Sequence, residues 1–177
     1  MEKSIPEKIC DHLQTILQAV EWESLTEPDI YQGLAIWDPE TQGLPLITIL
    51  PEIEKATEDR YGNVKCEMMI DIKALIPCDI GATAIHGLMV AHEIRLNVFE
   101  SKKNNWESFP EELINLRYVE GGVTKYPDEM NPQLLQAGIT ISVLYEVDLY
   151  PPRDPKPVED PDLEDPDPED GEPDPEP

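Results

Sequence analysis

The sequence of 177 residues predicts an α/β (α+β) sandwich: a mixed, mostly antiparallel sheet of four to five strands with two helices packed on one face. Three observations predict it. Residues 64–76 and 139–149 alternate apolar and polar side chains with period two, as strands with one buried and one wetter face do. Ile5, Ile9, Leu13, Ile16, Leu17 and Val20 recur at spacings of three and four, the stripe of an amphipathic helix. The elements follow in the order α-β-β-β-α-β-β, which suits one helical layer on a sheet better than regular βα alternation.

Each element has a local reason. Ser4 and Glu7 stand at capping-box spacing, and Pro6 is harmless in a first turn whose amides have no intrahelical partner, so a helix is predicted over 5–21. Residues Tyr31–Trp37 form a short strand closed by Asp38 and Pro39. Leu44–Glu54 is a nearly continuous apolar run whose prolines, Pro45 and Pro51, confine pairing to its middle. The segment KATEDRYGN (55–63) reads as a charged loop ending in a turn signal, the projecting tip of an antiparallel hairpin. In the third strand Val64, Cys66, Met68, Ile70, Ile72, Ala74 and Ile76 face the core, and Lys65, Glu67, Asp71 and Lys73 face away.

After Pro77 a second helix is expected over about 80–98, with Ala84, Leu88, Ala91, Ile94 and Val98 as its stripe. Residues 101–112 read as an irregular polar connection, and 113–120 as a strand entering a turn at Gly121 and Gly122, with Val123–Tyr126 as its return. Ile139, Ile141, Val143, Tyr145, Val147 and Leu149 then alternate with Thr140, Ser142, Glu146 and Asp148 in the closing strand. Pro151 and Pro152 remove two ladder donors and stop it. The expected division is a domain over 1–150 and a disordered acidic, Pro-rich tail over 151–177, which lacks the apolar content to offset the entropy of folding.

The charge narrows the function classes. The chain carries 38 acidic and 13 basic residues, a net of −25. The segment from Pro151 holds 12 acids and 2 bases, so −10 lies in the tail and −15 in the domain. Such a body repels nucleic-acid backbones and anionic membranes. No run approaches a membrane span, and the first residues lack the apolar stretch of a signal peptide. Cys10, Cys66 and Cys78 are odd in number and widely spaced, as buried reduced thiols of a cytoplasmic protein would be.

Signs of catalysis or cofactor binding are missing from the sequence. His92 and Glu93 begin like a zinc-protease helix, but Leu96 stands where the second histidine must sit. His86 and His92 fall on different sides of the helix, and His12 borders the first helix's apolar stripe. No phosphate-loop or nucleophile-elbow motif occurs, and no metal or cofactor is expected. Glu67, Asp71, Glu146 and Asp148 lie on wetter strand faces where Lys65 and Lys73 can neutralise them.

Three stretches together resemble the tail terminators of long-tailed bacteriophages, the family that includes the lambda-type minor tail protein U. They are residues 36–77 (short strand, Pro-bounded apolar strand, charged loop, alternating strand), the helix IGATAIHGLMVAHEIRLNVF, and GITISVLYEVDLY with its Tyr145-Glu146 pair. With the first helix the resemblance covers roughly residues 5–150, as a pattern of elements, and the acidic tail departs from it. It implies a virion protein of the tail or neck, made in the host cytoplasm. As a homohexameric ring it would cap the tail tube protein, end tail polymerisation and present the joining surface to a head-completion or stopper protein. Genome DNA would pass through the ring without specific binding. The candidate contact with the tube is the hairpin tip, with Lys55, Glu58, Asp59, Arg60 and Tyr61 projecting. The alternatives are another head–tail connector or tail-completion protein and, in a different class, an acidic inhibitor that mimics DNA.

Overall fold

The structure is a computed structural model that describes residues 3–33, 38, 41–60, 63–77, 83–104, 108–125 and 134–148, the side chains of 57–60, 63, 102, 104 and 125 excepted. Its first helix, α1 (Ile5–Gln18), starts where Ser4 and Glu7 place it. The Ser4 hydroxyl accepts the Glu7 amide at 3.4 Å, and the Glu7 carboxylate accepts the Ser4 amide at 2.7 Å. These bonds to Ser4 hold the Glu7 carboxyl below its usual range. Ile9, Cys10, Leu13 and Leu17 are the buried side of α1.

Five strands follow: β1 (Asp29–Gln32), β2 (Leu46–Arg60), β3 (Asn63–Pro77), β4 (Leu113–Lys125) and β5 (Leu134–Asp148), with helix α2 (Ala84–Asn104) between β3 and β4. They form a single sheet in the order β1-β2-β3-β5-β4. Among the described residues only β1 pairs parallel, with β2, and every other pairing is antiparallel. The central strand β3 pairs with β5 from Asn63 opposite Asp148 to Pro77 opposite Leu134. Both helices cover one face, α1 over β1 and β2 and α2 over β5 and β4, and they touch each other. A single core lies between the layers, joining Leu13 and Leu17 of α1 and Ile94 and Val98 of α2 to Ile49, Ile70, Ile141 and Tyr145 of the sheet. The fold class and element order match the expectation.

Several boundaries differ from the expectation: α1 ends at Gln18 and not at 21, and β5 begins at Leu134, ahead of Ile139. The charged segment 55–60 is strand, not loop, because β3 offers it a ladder as far as Arg60 opposite Asn63. Helix α2 runs on to Asn104, into the segment expected to be an irregular connection. Strand β4 passes straight through Gly121 and Gly122, which pair with Ile139 and Gly138 of β5, so no turn forms there. The first strand is Asp29–Gln32 instead of 31–37, and 34–37 lie outside the described residues. The division at residue 150 and the tail also lie outside them.

The buried stripe of α2 is also not the expected one. Gly87, Val90, Ala91, Ile94 and Val98 face the core, whereas Ala84 is exposed and Leu88 is 55% exposed. At 100° per residue the burial is centred roughly 50° away from the stripe the sequence suggests. Gly87 sets that rotation: a side chain there would place its Cβ 2.8 Å from Val123 Cγ2, so its absence lets the helix lie close on β4. A zero-volume residue carries no hydrophobic signal, yet it marks the contact line.

Candidate functional site

The sheet leaves two strand edges uncovered among the described residues. β4 ends the sheet on one side. On the other, β1 pairs only with Leu46–Ile49, so β2 is the edge from Leu50 onward. Globular proteins usually blunt such edges with charge, bulges or cover. Here register shifts interrupt both, between Pro51 and Glu54 in β2 and between Tyr118 and Glu120 in β4. Apolar side chains nevertheless stand out from them: Ile53 is 76% exposed, the most open large hydrophobic residue among those described, and Ile114, Tyr118 and Val119 are also exposed on β4.

The outer side of α2 exposes Ile85, Leu88, Met89 and Leu96; Met89 and Leu96 border Glu23, Ser24 and Glu93, and Leu88 lies on the flank facing β4. A helix that is apolar on its outer side as well as on its core stripe has more than one surface to bury. Between this flank and β4 lies a hollow of about 180 Å³, lined by Leu88, His92, Arg95, Tyr118, Gly121 and Ile139. The Arg95 guanidinium sits 5.5 Å from the centre of the Tyr118 ring, within cation–π reach, and lies 2.7 Å from His92 Nδ1. The opposite flank of α2 is acidic. The Glu93 carboxylate accepts the amides of Glu23 at 2.7 Å and Ser24 at 3.1 Å and also the Ser24 hydroxyl. His86 Nε2 meets the Ser24 carbonyl at 2.6 Å, so the chain after α1 is strapped to α2.

The predicted tip residues fall at the far end of the β2–β3 hairpin. Lys55 is exposed and opposite Glu67. Glu58, Asp59 and Arg60 pair by backbone with Lys65, Val64 and Asn63, while their side chains and Tyr61 lie outside the described residues. Tyr145, fully buried, donates its hydroxyl to Glu54 and so ties the base of this arm to the core. Sequence reasoning missed the hollow beside β4 and Ile53 as an outward apolar residue. The spacing of Ile85, Met89 and Leu96 signalled only the apolar outer side of α2.

The groups that could carry chemistry are engaged in structure. Asp71, 5% exposed on the uncovered face, accepts the Thr140 hydroxyl at 2.6 Å and pairs with Lys73, as expected. Glu67 instead pairs with Arg117 of β4 at 3.1 Å. Cys10 and Cys66 are buried free thiols; burial first, then Asp11, pushes Cys10 up to about 11, and burial first, then Glu54, raises Cys66. Cys78 lies outside the described residues. No cluster of three or more metal-ligating side chains occurs among the described residues, and no described helix is long and apolar enough to cross a membrane.

His12 packs edge-on against Phe109 with ring centres 4.2 Å apart, and its Nε2 lies 3.2 Å from the Ser108 hydroxyl. A Ser–His contact needs an orienting group on the second ring nitrogen to make a nucleophile. None is bonded there among the described residues, and the groups around the contact are Lys8, Asp11, Glu111 and Glu112. Burial lowers the His12 pKa. As the pH falls below about 6.5 the unfolded chain therefore takes up this proton first, and stability present above that pH is lost on acidification. His12→Gln is expected to show a shallower fall in melting temperature between neutral and mildly acidic pH than the wild type; equal slopes would show that His12 does not carry this dependence.

Compared with models of known protein families and with curated proteins, the chain matches none.

Proposed function

We propose that this chain is a structural assembly protein of the tail-terminator kind, a virion component that closes into a ring on the phage tail tube. It ends tube polymerisation and offers the joining surface to the head or neck. The observation that carries this reading is the pair of uncovered strand edges on opposite sides of the sheet, each with exposed apolar side chains. A closed ring needs two different, mutually fitting surfaces on one chain. The element pattern that resembles the terminator family supports the same reading, and the acidity of the domain suits a passage through which DNA moves without sticking.

In this reading the protein acts by shape, without a cofactor, and its partners are further copies of itself, the tail tube protein and the head-completion protein. The arm ending near Lys55 and Arg60 is the proposed tube contact. Another neck component would use the same surfaces. DNA mimicry is disfavoured by the uncovered sheet face, where Glu67 and Asp71 are already paired with Arg117 and Lys73. The test is native mass together with electron microscopy of tail tubes mixed with the protein. A closed oligomer of six copies seated on tube ends is expected. A strict monomer at high concentration that leaves the tubes uncapped would sink the proposal.

A further inference from the structure

The two exposed edges differ in chemistry, and the difference is complementary. On β2, Ile53 stands outward between Glu52 and Glu54 at the register shift. Glu54 is held by the buried Tyr145 hydroxyl, which fixes the backbone on which Ile53 projects. On the opposite edge, the hollow between α2 and β4 has apolar walls from Leu88, Tyr118 and Ile139, and Arg95 and His92 on its rim. Its volume of about 180 Å³ has room for one branched aliphatic side chain. An apolar knob flanked by carboxylates and an apolar socket with the Arg95 guanidinium on its rim therefore sit on opposite sides of one molecule.

We infer that Ile53 of one copy seats in the α2–β4 hollow of the next, with Glu52 and Glu54 beside Arg95. The occupant is a second copy of this chain, because both halves of the contact are present on it and neither half can meet the other within one molecule. Three strand steps separate β2 from β4, about 14 Å at the usual spacing. Knob and socket are different surfaces, so the contact is head-to-tail and propagates, as a ring requires. Two chains of net charge −25 repel one another unless opposite charges meet at the seam, and Arg95 provides that meeting. The inference rests on the ring reading and adds to it the residues of the seam.

The experiment uses the full chain with Ile53→Cys and Leu88→Cys made separately. Both positions are exposed, so both variants should fold. Mixed and mildly oxidised, they are expected to form a disulfide-linked dimer that neither variant forms alone. The wild type controls for Cys10, Cys66 and Cys78. An intrachain 53–88 bridge is excluded, since such bonds need Cα atoms within about 7 Å. Ile53→Asp and Arg95→Glu are each expected to weaken assembly about 30-fold or more while the melting temperature of the domain holds, as loss of an anchor side chain would. If the oligomer persists in Ile53→Asp and no mixed disulfide forms, the seam is wrong and the ring reading stands. If either single-cysteine variant links to itself, the contact is two-fold and the head-to-tail seam fails. If Ile53→Asp keeps the oligomer but loses binding to a different protein, the knob serves that partner and the inference is overturned. If the wild type is monomeric throughout, the ring reading itself falls and takes the seam with it.

Discussion

Gly138→Ala will destabilise the domain by about 3 kcal/mol or more, which is large for a single methyl group. Gly138 lies on β5 between Lys73 of β3 and Gly122 of β4, in the middle of the sheet. A Cβ built there falls 2.1 Å from the Ile72 carbonyl oxygen and 2.8 Å from Lys73 Cα. These neighbours are backbone atoms of the central strand, so no rotamer change can make room. Relief requires β3 and β5 to part, and their ladder is the longest in the fold. The cost should lower the melting temperature by about 10 °C, or prevent folding outright. Gly122→Ala is the control. A Cβ at Gly122 meets nothing within 4 Å, so that variant should melt within a few degrees of the wild type. Equal, small effects at both positions would mean that β5 and β3 do not approach as closely as described.

Gly122 and its neighbour Gly121 show how much of the fold could be read in the sequence. Glycine is a turn signal when nothing else is known, and Gly121 and Gly122 were accordingly expected to end a strand. Tertiary pairing overrides that preference, because β5 supplies partners on both sides of the break. The strands β3 and β5 were legible because each buries one face fully and leaves the other wet, which imposes period two. Asp71 and Ser142 escaped that logic: they sit on the wetter face yet are buried, Asp71 beside Lys73 and Thr140 and Ser142 beside Glu67.

Helix α2 was legible as a helix and not as a surface. With apolar residues on most of its circumference, periodicity could not say which of them meet the sheet, and Gly87 decided it by close approach. Leu88, assigned to the core by spacing, belongs to the outer flank. The hollow beside it could not be foreseen, since it joins α2 to a strand whose path through two glycines ran against local preference. The segment 55–60 was read as a charged loop and is strand, with β3 and then β5 beside it as far as Asn63 and Asp148. Exposed charge does not forbid strand on an open edge, where the side chains remain in water.

Tyr145 is where the core and the candidate assembly surface are mechanically joined, and its removal is expected to be the other large effect. It is fully buried, stands opposite Cys66 and Leu113, and gives its hydroxyl to Glu54 on the edge strand. Tyr145→Ala empties a large aromatic site between the helices and the sheet and leaves Glu54 without its buried donor. By analogy with aromatic-to-alanine changes in other cores, the loss should be about 3–5 kcal/mol, a fall in melting temperature of about 10–15 °C. Tyr145→Phe separates the two contributions. It keeps the ring and removes only the bond to Glu54, so it should cost about 1 kcal/mol. Its clearest signature should be local: faster amide hydrogen exchange across residues 53–60, with the β3–β5 ladder unchanged. If Tyr145→Ala melts like the wild type, the burial described for this residue is wrong. If Tyr145→Phe accelerates exchange uniformly over the whole sheet, the bond to Glu54 contributes to global stability and does not anchor the edge strand. An effect confined to 53–60 that also weakens assembly in the same variant would tie the outward placing of Ile53 to a hydroxyl on the far side of the strand.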